Sequence, residues 1–166
     1  MRAALCRTYG PPEVVRVESV ATRALGPGQV RVRVNVAAVN LPDVLIIADK
    51  YQVTVPLPFI PGSEFAGVVV ERAGDVYQFD VDERVFGTSL VGAFAEEVVV
   101  SAQSLSRTPS SIGDRDAAAL GVAHRTAFHV LKSAARVEHG DDLVVLGAGG
   151  GVGLACVELG ALFGTR

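Results

Sequence analysis

The chain is predicted to be α+β followed by α/β: an antiparallel β domain, then a single strand, turn and helix. Three observations predict this. Val30-Arg-Val-Arg-Val-Asn-Val36 alternates apolar and polar residues, as a half-buried strand does. Leu143 to Leu146 form an apolar run that enters a cluster of glycines, and an apolar segment with helical spacing follows. Between these stretches the composition shifts after Pro109. The domain boundary falls near 110–125 and is drawn at 115/116, with residues 1–115 in the β domain and 116–166 in the α/β part.

The elements follow in chain order. Short strands are expected at residues 3–7, 14–20, 66–72 and 95–100, and the turn Leu25-Gly-Pro-Gly28 opens a longer one at 29–38. Arg31, Arg33 and Asn35 should face away from the valines. Residues 42–49 read as a short helix, with Pro42 in the first turn, where a missing N–H costs nothing. Pro56, Pro58 and Pro61 make residues 53–62 irregular. Residues 114–120 and 123–134 read as helices separated by Gly121, and Gly140-Asp-Asp142 turns the chain into the strand at 143–146. Val152, Ala155, Cys156, Leu159, Leu162 and Phe163 mark the expected buried side of the last helix.

The totals exclude several classes. With 166 residues, 49% hydrophobic and 20% charged, the chain suits a globular protein of one domain's length. A net charge of −3 without a basic stripe argues against nucleic acid and against an anionic membrane surface. Residues 143–163 carry one charge, Glu158, but five glycines in the seven positions 147–153 make a poor spanning helix. Arg7 interrupts what would be a leader's apolar run. Cys6 and Cys156 belong to no Cys-x-x-Cys pair, so neither a disulfide framework nor a structural zinc is expected, and the compartment reads as cytoplasmic.

The glycine cluster carries the chemistry. Gly147, Gly150 and Gly153 form G-x-x-G-x-x-G between a strand and a helix, which is how a dinucleotide-binding βαβ unit opens. A glycine at the turn permits φ > 0, and the N–H groups of the helix start hold phosphate charge. A glycine-rich loop without a ligand is the competing reading. A doubly wound domain needs about five or six parallel strands, and this chain supplies one, with little for its helix to pack against. It is therefore expected to be the N-terminal part of a larger protein: a truncated product, half of a split gene or an engineered piece.

Ordered blocks add a resemblance. They are Gly10-Pro-Pro-Glu-Val14, Val39-Asn-Leu-Pro-Asp43, Pro61-Gly-Ser-Glu-Phe-Ala-Gly-Val68, Arg84-Val-Phe-Gly87, Gly92-Ala-Phe-Ala-Glu96, Thr126-Ala-Phe128 and Gly149-Gly-Gly-Val-Gly153. Together they resemble the quinone oxidoreductase (zeta-crystallin-like) branch of the medium-chain dehydrogenase/reductase superfamily. The resemblance implies a GroES-like catalytic domain lacking its C-terminal strands, then the first strand–turn–helix of a Rossmann domain. The family glycine signature is A-x-x-G-x-x-G, with Gly147 here in place of the alanine.

Asn40 and Ser63 stand where zinc-dependent members of the superfamily carry Cys and His, and neither suits zinc, so no metal is expected. The implied reaction is zinc-independent hydride transfer from NADPH, with NADH not excluded, to a quinone or another conjugated carbonyl. By resemblance, Asn40 and Asp43 lie beside the nicotinamide ribose and substrate, and Tyr51 donates a hydrogen bond to the acceptor oxygen. Thr126 and His129 line the nicotinamide groove, and Gly149, Gly150, Gly151, Val152, Gly153 and Leu154 hold the pyrophosphate. Glu64 is expected to be structural, hydrogen-bonded near the domain junction. A homodimer is implied for the full-length form. From the residues alone, Asn40 and Asp43 equally read as the cap and first-turn acid of a helix, and Tyr51 as a half-buried loop aromatic. Leu45 replaces a frequent second tyrosine, which leaves an enoyl-thioester or alkenal reductase, or a non-catalytic subunit, as alternatives.

Overall fold

The computed structural model describes all 166 residues. The chain divides into two compact units, Met1–Ala118 and Ala119–Arg166. The division falls past the 115/116 position drawn from composition because residues 114–118 pack on the first unit's sheet.

In the first unit, β1 (Arg2–Leu5) pairs antiparallel with β2 (Arg16–Ser19). The main antiparallel sheet contains β3 (Gln29–Ala38), β4 (Glu64–Arg72), β5 (Arg84–Thr88), β6 (Glu97–Ser101) and β7 (Leu105–Arg107), in the order β6-β3-β4-β5-β7. The alternation in β3 does what its pattern predicts at one end. Val30 and Val32 are fully buried with Phe65, Val69, Val85, Val98 and Val100, while Arg33 and Asn35 lie outside. Two corrections apply. Arg31 is buried, because Glu71 at 2.8 Å, Glu97 at 3.5 Å and the Arg23 carbonyl at 2.8 Å satisfy its guanidinium. Val34 and Val36 are only half-buried, beyond a register shift that follows Arg31. β5 and β7, of five and three residues, are too short to show a period in the sequence and are not among the expected strands.

The helix α1 (Leu41–Ile47) forms one residue ahead of the expected start and stops at Ala48. Its Ile46 and Ile47 bury with Cys6, Val55 and Phe59 in a second cluster. The short α2 (Asp114–Ala118) sets Ala117 and Ala118 against Ala66 of β4. Asp114 anchors it, accepting from Arg84 at 2.6 and 3.0 Å and from Asn35 at 2.8 Å.

In the second unit, a wide helical turn (Leu120–His124), α3 (Arg125–Phe128) and a second wide turn (His129–Ala134) precede α4 (Gly151–Phe163). Gly121 lies buried inside the first wide turn and does not separate two helices, a correction to the predicted break. Ala155, Cys156, Leu159 and Phe163 of α4 pack against Ala127, Leu131, Val137, Leu143 and Val145. The helix therefore has a core to rest on, contrary to expectation. Leu162 and Val152 are exposed, because the buried side runs through 155, 156, 159, 160 and 163.

No strand forms at 143–146. Leu143 and Val145 turn inward while Val144 and Leu146 are 83% and 91% exposed, so the alternation of a strand is present. The ladder is short: the Leu143 N–H donates to the Arg166 carbonyl at 2.8 Å, and the Arg166 N–H to the Asp141 carbonyl at 2.9 Å. That is the parallel pattern with which a strand–helix–strand crossover begins.

Candidate functional site

In the first unit, the paired ends of β3 and β4 bring four polar residues together. Ala38 is in register with Glu64, and two residues later Asn40 caps α1. The Asn40 amide donates to Glu64 Oε1 at 2.7 Å. The Asn40 main-chain N–H donates to Asp43 Oδ2, also at 2.7 Å. The Asn40 side-chain oxygen faces the Asp43 N–H in the reciprocal arrangement of a capping box, without a hydrogen bond of full geometry. Asp43 and Glu64 are buried, at 1% and 2% exposure, and Ser63 is buried beside them. Gly62 holds φ +102, and a side chain there would run into Phe94, so the bend before Ser63 needs glycine.

Asp43 Oδ1 and Ser63 Oγ are buried without a hydrogen-bond partner. Burial pushes the Asp43 carboxyl above its ordinary pKa; the Asn40 N–H and the nearby Ser63 hydroxyl oppose that shift. The Ser63 hydroxyl lies beside Asp43 without a hydrogen bond of full geometry, so it offsets only part of the cost of burying the carboxyl. Tyr51 is half-buried, with its ring against the cluster that holds Ile46 and Ile47 of α1. An apolar groove of about 350 Å³, lined by residues including Leu5, Val20, Phe59, Ile60 and Val98, contains none of the predicted site residues. No group of three or more His, Cys, Asp or Glu side chains is gathered as a metal site.

In the second unit, the glycine turn is built for a close backbone. Gly147 holds φ +76, a conformation that disfavours the family's alanine. The Gly150 N–H donates to the Gly147 carbonyl at 3.0 Å, and Gly150 then caps α4 with no side chain. A Cβ on Gly153 would lie 2.2 Å from the Gly147 oxygen, so the first turn of α4 seats directly on the loop. A Cβ on Gly149 would meet nothing within 4 Å. The first N–H groups of α4 have no intrahelical acceptor, and the helix dipole adds positive potential there. Val152 and Leu154 are on the exposed side of this start. Thr126 and His129 are both exposed, one turn apart, and the Thr126 hydroxyl donates to the Val122 carbonyl at 2.6 Å.

Sequence reasoning did not gather Ser63 into this cluster; Glu64, expected as a hydrogen-bonded structural residue, is buried and accepts from Asn40. The available signal was the adjacency of Gly62-Ser-Glu64 in a buried strand start.

The chain thus carries an antiparallel β unit in which Asn40 meets the buried Asp43, Ser63 and Glu64, followed by a glycine turn and a helix. A family model described as the alcohol dehydrogenase GroES-like domain matches residues 26–110, and the chain belongs to that family. It is 38% identical over 158 residues to quinone oxidoreductase-like protein 2 of Mus musculus, covering 95% of this chain and 45% of that protein. A quinone oxidoreductase from Pseudomonas syringae superposes with a TM-score of 0.93 at 28% identity, covering 99% of this chain and 51% of that one. The Thermus thermophilus quinone oxidoreductase, solved also as its NADPH complex, superposes at 0.86 with 28% identity, covering 100% of this chain and 52% of that one. The chain spans about half the length of the curated relatives it matches. No helix is long and apolar enough to cross a membrane.

Proposed function

We propose that the protein carrying this chain transfers hydride from a reduced nicotinamide dinucleotide, NADPH in the first instance, to a quinone or another conjugated carbonyl, without zinc. The observation that carries the reading is the start of α4: bare N–H groups, no capping side chain, and a turn in which Gly153 lets the helix close onto Gly147. The dinucleotide, when bound, supplies the hydride at C4 of its nicotinamide.

The residues do the rest. The N–H groups of Gly149, Gly151, Val152 and Gly153, with the helix dipole, hold the pyrophosphate, while Gly150 and Leu154, whose N–H groups bond to the Gly147 and Gly150 carbonyls, shape the turn around it. Thr126 already gives its hydroxyl proton to Val122, so its oxygen serves as an acceptor for the carboxamide, with His129 beside it. Asn40 and Asp43 orient the ribose and substrate, and Tyr51 donates to the acceptor oxygen. Quinones accept hydride readily, so alignment and exclusion of water suffice. The first-unit nest offers amide, hydroxyl and carboxylate oxygens, with none of the nitrogen and sulfur ligands zinc favours, which supports the metal-free reading. Cys6 and Cys156, unpaired and buried, suit the reducing cytoplasm.

The test is a fluorescence titration of the protein with NADPH and with NADH, followed by turnover with a benzoquinone and with an enoyl thioester. Saturable NADPH binding and quinone turnover are expected. The absence of both binding and turnover would overturn the reading, and turnover of the thioester alone would move the protein to the enoyl reductases.

A further inference from the structure

We propose that Glu64 is a positioning residue: its buried carboxylate sets which way round the Asn40 amide stands. The inference rests on the proposed reaction only for the clause that Asn40 touches a ligand.

A carboxylate only accepts, so the contact of 2.7 Å requires the nitrogen side of Asn40 at Glu64 Oε1. The other end of the amide agrees, since the Asn40 oxygen faces the N–H of Asp43 at the start of α1. Reversing the amide would set oxygen against carboxylate and N–H against N–H, so both partners select one orientation. Glu64 is itself held by the sheet, paired with Ala38 on one side and Thr88 on the other.

A purely structural role does not account for the pair. An aspartate or serine caps a helix as well as asparagine does, and α1 already has the Asp43 carboxylate on the Asn40 N–H. Asparagine is required only because its neighbour is a buried carboxylate. The result is an amide held in one orientation, with one N–H of its nitrogen left over beyond the bond to Glu64. Asn40 is thus prepared to donate to a ligand oxygen, a ribose hydroxyl or the acceptor carbonyl.

The experiment compares wild type, Glu64→Gln and the exchange Asn40→Asp with Glu64→Gln in the purified protein. Glutamine fills the same space but accepts or donates equally well, so it releases the orientation. The first readout is the Asn40 side-chain amide pair in ¹⁵N–¹H spectra, assigned by its loss in Asn40→Asp. Glu64→Gln should move this pair toward the positions of exposed amides. The second readout is steady-state kinetics, where Glu64→Gln should lower kcat/KM for NADPH-dependent quinone reduction about tenfold, as loss of one charged hydrogen bond does.

The exchange variant restores a hydrogen bond with donor and acceptor swapped. It should recover thermal stability and leave turnover low, and it carries the test if Glu64→Gln does not fold. An unmoved Asn40 amide, or an exchange variant as active as wild type, would overturn the proposal. An amide response in a wild-type protein that turns over no quinone supports the positioning and counts against the reaction.

Discussion

Asp43 holds an almost fully buried carboxyl. Burial raises its carboxyl above the ordinary value of 3.8. Between 3.8 and the raised value, the native state keeps a proton that the unfolded chain has lost. The contribution of this group to stability is therefore greatest at low pH and falls as pH rises through the native value. Asp43→Asn keeps an acceptor for the Asn40 N–H and does not titrate. The stability of the variant relative to wild type should increase from about pH 4 to about pH 7 in parallel urea titrations; a constant difference would refute the burial argument. Gly67 carries a second residue-scale prediction. It faces Val34 in the β3–β4 ladder, and a Cβ there would lie 2.0 Å from the Arg33 carbonyl oxygen. Gly67→Ala should cost about 3 kcal/mol in chemical denaturation, because backbone, not a flexible side chain, must move.

At the scale of elements, α2 and the start of α4 are each decided by a few contacts. Asp114→Ala removes both the Arg84 and Asn35 bonds that tie α2 to β5 and β3, and should destabilise the protein by about 1–3 kcal/mol. Hydrogen bonds from Asn35 and Arg84 hold the Asp114 carboxyl below its ordinary range, so this stabilisation is lost as pH falls. For α4, two glycines separate fold from ligand. Gly153→Ala collides with the loop and should lower the melting temperature. Gly149→Ala enters open space and should leave the melting temperature unchanged while weakening NADPH about tenfold or more, a loss of about 1.4 kcal/mol. Equal losses of stability in both would refute the division of roles. The glycine spacing is legible in sequence because it reports a local backbone demand. The failure of residues 143–146 to form a strand is not legible, since a strand is defined by the partner beside it.

At the scale of the whole molecule, the two units differ in how much they bury. The first carries the large cluster of Val30, Val32, Phe65, Val69 and Val85, all fully buried. The second, Ala119–Arg166, has a smaller core and leaves Val144, Leu146 and Leu162 exposed. Amide hydrogen exchange should show strong protection along β3 and β4 and weak protection at Val144 to Leu146, which have no ladder partner. Uniform protection across both units would show that they unfold as one.

The amino-acid sequence by itself determined that a β unit precedes the glycine turn and its helix, and with them the inward valines Val30 and Val32 and the cap at Asn40. Each is set by residues near one another in the chain: side-chain period, φ preference and capping chemistry act over a few positions. Only the tertiary structure decided that Arg31 is buried among Glu71, Glu97 and the Arg23 carbonyl. It alone set α2 onto β4 through Ala66 and placed Glu64 against Asn40, 24 residues away. Those outcomes depend on strand register and on which charges meet when the sheet closes, and no local pattern encodes them.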